Sequence, residues 1–261
     1  MTTKKSIISS KNLSIGYPSK NKPVVISEGI EVSIFEGDFI AILGKNGIGK
    51  STFLKTLTTE LNPIDGNIQL LNTDLGGYSS KQLAPVISVV LTESIPLNQL
   101  TVQELVALGR QPYTNWIDNL SEADKEIVKK AMIDTETYEF KEKKIYELSD
   151  GMKQRVLIAR ALAQDTPIMI LDEPTVHLDL YHTVQIFKLL KKLVAEKGKT
   201  VIISSHELNL SIKFASKLMV MNEKVNHFGT TQELISNKAF ETLFPADGIS
   251  FDSESQQYVI K

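Results

Sequence analysis

The chain has 261 residues, 42% apolar and 23% charged, with 29 basic against 31 acidic residues, a formal net charge of −2 and no cysteine. That length supports one large domain or two small ones. The absence of cysteine excludes disulfides and thiolate metal sites, and the balanced charge argues against a nucleic-acid footprint. No stretch approaches the roughly 18 apolar residues of a membrane span, and Met1–Ser10 lacks the apolar run of a signal peptide.

In chain order, Lys11–Tyr17 and Gly29–Phe35 alternate between apolar and polar residues and are bracketed by Pro18, Pro23 and Gly37, which predicts antiparallel strands. Four short apolar runs, Phe39–Leu43, Val86–Leu91, Ile168–Leu171 and Val201–Ser204, predict buried strands. Helical patterns lie between them, at Ser51–Leu61, Val102–Gly109, Glu122–Met132, Met152–Gln164 and Thr183–Glu196. Strands alternating with helices predict an α/β fold with a mostly parallel, covered sheet. The stretch from about Thr92 to Gln164 reads as a helical insert. Phe240–Lys261 reads as a helix end, a proline break and two short strands, a C-terminal hairpin on the core.

Residues Ile42–Thr52 read ILGKNGIGKST, and Gly44, Gly49, Lys50 and Ser51 fill the fixed positions of G-x-x-x-x-G-K-[ST]. A strand precedes the pattern and a helix follows it. Backbone N–H groups of such a loop, here Gly44, Lys45, Asn46, Gly47, Ile48 and Gly49, curl around phosphate oxygens, and the helix start adds its partial positive charge. Lys50 is the candidate for the β- and γ-phosphates, and Ser51 for Mg²⁺.

Such a loop needs a metal-holding acid on a neighbouring strand. PIMILDEP, Pro167–Pro174, supplies an apolar strand ending in Asp172 and Glu173. Asp172 is the candidate Mg²⁺ ligand, and Glu173 the candidate base that polarises an attacking water. VIISSHE, Val201–Glu207, is a further strand ending in polar residues, with His206 placed to contact the γ-phosphate and orient Glu173. LSDGMKQR, Leu148–Arg155, is a helix start where Ser149 and open backbone N–H groups suit an anion, while Asp150 does not.

The order of these segments, with HLD at His177–Asp179 following ILDEP, resembles the ATP-binding subunit of ATP-binding cassette (ABC) transporters, over roughly Ser10 to Gly229. The resemblance implies an ABC-type P-loop NTPase with a mostly parallel sheet core, an antiparallel β-subdomain and a helical subdomain. It implies one ATPase domain over 1–261, with a core over about 1–91 and 166–229, a helical subdomain over about 92–165, and a short extension over 230–261. It also implies an ATPase that uses ATP and Mg²⁺. Tyr17 in NLSIGYP matches the adenine-stacking aromatic. Thr52 closes the phosphate loop. Asp179 matches the D-loop aspartate, and Ser149 and Gly151 match signature residues that face the γ-phosphate held by a second copy. Two copies therefore sandwich two ATPs as a homodimer.

Leu100–Trp116, LTVQELVALGRQPYTNW, resembles the ATPases of iron–siderophore, haem and cobalamin importers. That resemblance implies an integral membrane permease docking near 100–116 and a cytoplasmic protein peripheral to the inner face of the cell membrane; the near-neutral charge adds the expectation of no nucleic acid partner. Leu105, Val106 and Leu108 are the expected apolar surface and Tyr113 and Trp116 the expected anchors; Leu105 and Leu108 are also candidates for the core. Arg110 reads as a structural or coupling residue. Two other readings stay open: a soluble, non-transport ABC-type ATPase, and an importer ATPase for another substrate.

The sequence departs from the family at two places. The metal-touching glutamine expected at the start of the helical subdomain falls on Thr92, followed by Glu93, and either is a candidate Mg²⁺ ligand. The signature reads LSDGM where the family usually has LSGGQ. An exposed aspartate near a helix start is favourable by ~0.3–1 kcal/mol but would repel ATP if it faced the nucleotide, so the Asp150 side chain is expected to turn away.

Overall fold

A computed structural model describes residues 6–20, 22–91, 99–114, 120–244 and 248–260. In chain order its elements are β1 (Ser6–Tyr17), β2 (Val24–Phe35), β3 (Phe39–Leu43), α1 (Lys50–Leu57), β4 (Asp65–Leu70), β5 (Thr73–Asp74), α2 (Ser80–Leu83), β6 (Ile87–Val90), α3 (Val102–Ala107), α4 (Glu122–Asp134) and α5 (Asp150–Ala163). They continue with β7 (Ile168–Leu171), α6 (Leu180–Lys197), β8 (Thr200–Ser204), α7 (Leu208–Phe214), β9 (Lys217–Val220), β10 (His227–Gly229), α8 (Thr231–Ser236), β11 (Ile249–Asp252) and β12 (Gln257–Ile260). The chain divides into two compact units, Met1–Tyr78 with Leu193–Lys261, and Ser79–Lys192. The expected helical stretch 92–165 falls inside the second unit, which also holds β6 and β7.

In the first unit, β1 pairs antiparallel with both β2 and β4, giving a sheet of order β2-β1-β4-β5. Beside it lies the core sheet. There β3 runs parallel to β8, with Ile42 opposite Ser204, and parallel to β9, with Leu43 opposite Val220. β10 adds antiparallel to β9. Every residue of β3 and β8 is buried. This is why they read as continuous apolar runs: a parallel strand covered on both faces has no polar side to alternate. Each fully buried Phe or Ile side chain here contributes about 1.5–3 kcal/mol.

α1 is shorter than the Ser51–Leu61 pattern. Thr59 adopts φ +62° and Glu60 N–H turns back to the Lys55 carbonyl, which ends the helix after Leu57. The two strands expected near the C-terminus form the β11–β12 hairpin, with Ile249 opposite Ile260. It is fastened to its own unit. The Phe240 and Phe251 rings stack 4.4 Å apart, and the Tyr258 hydroxyl donates to the Phe240 carbonyl at 2.8 Å. The Asn209 side chain of α7 accepts from Tyr258 N–H at 2.8 Å.

In the second unit, β6 and β7 pair in parallel from Ile87–Ile168 to Val90–Leu171, and α3 and α4 both pack on α5. Three capping residues set the helix starts: Thr101 with Glu104 for α3, Ser121 with Asp124 for α4, and Ser149 for α5. Arg110 ties the helices together. It is 6% exposed, donates from Nε to Asp124 Oδ1 at 2.8 Å and from an Nη to the Ala163 carbonyl at 3.0 Å, and lies 4.1 Å over the Tyr113 ring. The Ser121 and Arg110 hydrogen bonds hold the Asp124 carboxyl below its ordinary value. Arg110 is thus a structural residue.

This packing corrects one expectation. Leu105 and Val106, at 3% and 0% exposure, belong to the helical core and offer no surface, while Leu108 is exposed at 42%. Leu105 and Val106 fall on the face of α3 that meets α5, whereas Leu108 lies past the end of that helix. The Tyr113 hydroxyl is already committed to the Gln164 carbonyl at 2.9 Å, and Trp116 lies outside the described residues. No helix among the described residues is long and apolar enough to cross a membrane.

Candidate nucleotide-binding site

The phosphate loop leaves the carboxyl end of β3, where open α/β sheets bind ligands. Gly49 closes the loop with φ +114°, and a Cβ there would stand 2.9 Å from Ile26 Cγ2, so the position admits only glycine. The resulting curl brings the Lys50 ammonium back over the loop, where it donates to the Gly44 carbonyl at 3.0 Å and the Lys45 carbonyl at 3.3 Å. Lys50 is 5% exposed, so its charge is held in place. Lys45, Asn46 and Gly47 form the exposed crest, flanked by half-buried Gly44 and Ile48. The first turn of α1 carries no acid to cancel its partial positive charge. Ser51 is half-buried in that turn.

Tyr17 ends β1 and remains 42% exposed, while its hydroxyl lies 3.3 Å from Oγ1 of buried Thr52. An aromatic face is thereby held beside the phosphate loop. On the neighbouring strand, Ser205 N–H donates to the Ile42 carbonyl at 3.1 Å, so exposed His206 emerges at the same sheet edge as the loop, one strand away. Tyr17, the loop from Gly44 to Thr52, and His206 all lie in the first unit.

The other predicted residues lie in the second unit. Asp172 follows buried β7 and donates its N–H to the Val90 carbonyl at 2.9 Å. Glu173 adopts φ +46°, a conformation that costs a non-glycine residue about 1–3 kcal/mol. Both carboxylates are half-buried. The chain then turns through Thr175 and His177, the latter at φ +66°, to reach Asp179. Thr92 and Glu93 lie outside the described residues.

Asp179 caps α6, which begins at Leu180, three residues before the Thr183 start expected from the apolar pattern. Its Oδ1 accepts from His182 N–H at 2.8 Å and from His182 Nδ1 at 2.9 Å. These bonds, the backbone one first, hold the Asp179 carboxyl below its ordinary value. Ser149 caps α5, its hydroxyl accepting from Met152 N–H at 3.4 Å, so α5 begins two residues before the expected Met152. Asp150 sits at the first helical position and pairs with Lys153 at 3.2 Å on the exposed face of α5. At Gly151 a Cβ would stand 2.4 Å from His182 Cδ2. His182 is a site neighbour that no motif of the sequence marks. The D-x-x-H spacing at Asp179–His182 was its only local signal, an aspartate cap followed at the third helical position by a side chain that returns to it.

Among the described residues no three or more His, Cys, Asp or Glu side chains cluster as a metal cage. Ser51 in the first unit offers a hydroxyl and Asp172 in the second a carboxylate, oxygen donors of the kind that hard cations such as Mg²⁺ take.

The family described as ABC transporter matches residues 27–176. The chain is 35% identical over 245 residues to the ferric enterobactin transport ATP-binding protein of Escherichia coli (strain K12), covering 94% of this chain and 89% of that one. It is 34% identical over 241 residues to the achromobactin transport ATP-binding protein of Dickeya dadantii (strain 3937), covering 92% and 88%. Its fold superposes on an inward-facing metal-chelate type ABC transporter with a TM-score of 0.79 at 26% identity, over 98% of this chain and 96% of that chain. It also superposes on a dimeric ATP-binding cassette in a post-hydrolysis state, bound to ADP and Pi, with a TM-score of 0.72 at 29% identity, over 85% and 98%. The family match and the agreement with these relatives over nearly the whole chain show that the protein belongs to the ABC transporter family as one of its ATP-binding, ATP-hydrolysing subunits.

Proposed function

We propose that this chain powers the import of a ferric chelate through a separate membrane permease, acting as a homodimer at the inner face of the cell membrane. The carrying observation is the phosphate loop with Lys50 folded across it at 3.0 Å and 3.3 Å from two loop carbonyls. The cargo class rests on the named relatives that transport enterobactin and achromobactin.

In this reading the amides of Gly44 to Thr52 and the Lys50 ammonium bind the triphosphate, and Tyr17 stacks on adenine. Ser51 and Asp172, with Thr92 or Glu93, would hold Mg²⁺, which when bound would neutralise charge on the phosphate oxygens. Glu173 draws a proton from the attacking water, and His206 contacts the γ-phosphate and orients Glu173. Ser149 and Gly151 meet the γ-phosphate of the partner copy, and Asp179 contacts that copy directly. The γ-phosphate is a contact made across the two copies, so its loss on hydrolysis favours opening. The permease would take up that movement through the region 100–116, where Leu108 and Tyr113 are exposed at 42% and 43%.

The test is co-purification from detergent-solubilised membranes, followed by reconstitution of the recovered complex. A ferric siderophore with its external binding protein should stimulate ATP turnover. Recovery of no polytopic protein overturns the transport role. Stimulation by haem or a corrinoid alone overturns the cargo class.

A further inference from the structure

His182 has no role in the site as described so far, yet it is held on two sides. Its backbone N–H and Nδ1 both reach Asp179 Oδ1, at 2.8 and 2.9 Å. Its ring occupies the space that a Cβ on Gly151 would need, 2.4 Å from Cδ2 and 2.8 Å from Cγ. Tyr181 meets the ring edge-on at 5.4 Å. The neighbouring Leu180 and Tyr181 side chains are exposed at 72% and 68%.

We infer that His182 is a positioning residue, the spacer that fixes the Asp179 turn against Gly151 of the signature helix so that both segments reach the second copy as one edge. This rests on the proposed ATP-sandwich dimer. The Nδ1 contact with Asp179 fixes the ring's direction, so the imidazole cannot rotate aside without breaking it, while the backbone N–H bond to the same oxygen holds the turn. Gly151 is glycine because the ring lies directly on it. A methyl group there would push the imidazole off Asp179 or push α5 away from α6. The glycine and the aspartate are therefore one unit joined by His182, although residues 151 and 179 are far apart in sequence.

The test is a double-mutant cycle in the full chain on a Glu173→Gln background, which is expected to retain ATP. ATP-dependent dimerisation is read by analytical ultracentrifugation, and folding by thermal unfolding. Gly151→Ala is expected to weaken dimerisation at least about thirtyfold beside His182, and less than about threefold beside His182→Ala, because the added methyl then has room. His182→Ala alone is expected to weaken it about tenfold. His182→Asn, whose amide can still donate to Asp179, is expected to stay within about threefold of the parent. The cost of Gly151→Ala being equal in both backgrounds overturns the spacer, as does normal dimerisation of His182→Ala. If Gly151→Ala does not fold, the contrast between His182→Asn and His182→Ala decides. A Glu173→Gln parent that stays monomeric with ATP overturns the dimer reading and this inference with it.

Discussion

The hydroxyl of Tyr17 lies 3.3 Å from Oγ1 of Thr52, which joins the end of β1 to the first turn of α1. A tyrosine that serves only local packing would need no exposed face, yet this ring is 42% exposed. Tyr17→Ala is expected to weaken ATP binding by about 1–3 kcal/mol, the value of a base–aromatic stack. Tyr17→Phe keeps the face, loses only the hydroxyl contact, and is expected to stay within about threefold of the wild-type Kd. Isothermal titration with a non-hydrolysable ATP analogue reads both, and equal losses for Ala and Phe would remove the stacking role.

Glu173 sits in the left-handed region at φ +46°. A carboxylate held in a costly backbone conformation at the end of a buried strand fits a group positioned for chemistry. Glu173→Gln preserves shape and removes the base, so turnover should fall about 10²–10⁴-fold while ATP affinity stays near wild type. Single-turnover hydrolysis at the normal rate would assign the base elsewhere.

Asp150 pairs with Lys153 at 3.2 Å, across one turn of α5. An exposed pair of this spacing is worth about 0.2–0.5 kcal/mol, and an acid at the helix start about 0.3–1 kcal/mol more. Asp150→Gly should therefore lower thermal stability slightly and leave ATP-driven dimerisation within about tenfold. A much larger gain in ATP affinity would show that the acid faces the nucleotide.

Arg110 and Asp124 are a largely buried pair with side chains 8% and 13% exposed. Asp124→Asn strips the guanidinium of its counter-charge and should cost about 3–5 kcal/mol. The pH response has a definite sign. The folded-state pKa of Asp124 is lowered, so its contribution is present above the unfolded carboxylate value and disappears as pH falls through the folded one. Wild type should lose this contribution in that acid window, while the variant should show no such step. Thermal unfolding from neutral pH down to about pH 3 reads the difference.

Legibility in the sequence followed burial on two faces. β3 and β7 are covered on both sides and matched their apolar runs residue for residue. β4, with exposed Asp65, Gly66 and Asn67 ahead of buried Ile68, is held by pairing with β1 and carries too little apolar pattern to be seen alone. β10 has only three residues, none but Gly229 fully buried, and takes its place from pairing with β9, so it carries no pattern of its own. The phosphate loop was legible because its glycines answer a local backbone demand, φ +114° at Gly49. His182 was not, because its meaning comes from Gly151, which only the fold brings beside it.

The β11–β12 hairpin offers the last prediction. Tyr258 donates to the Phe240 carbonyl at 2.8 Å and meets Phe240, Phe244 and Phe251 edge-on at 6.3, 5.4 and 5.3 Å. Burial pushes its phenol well above the ordinary tyrosine value, so it stays an O–H donor at every physiological pH. Tyr258→Phe should cost about 1 kcal/mol for the lost hydrogen bond. Tyr258→Ala should cost about 3 kcal/mol as the aromatic contacts go too. Both variants should keep ATP affinity and turnover at moderate temperature, because none of these contacts reaches the phosphate loop. Thermal unfolding read beside ATPase rate separates the two effects. Loss of turnover in a folded Tyr258→Phe chain would assign the hairpin a part in the cycle beyond holding its own unit together.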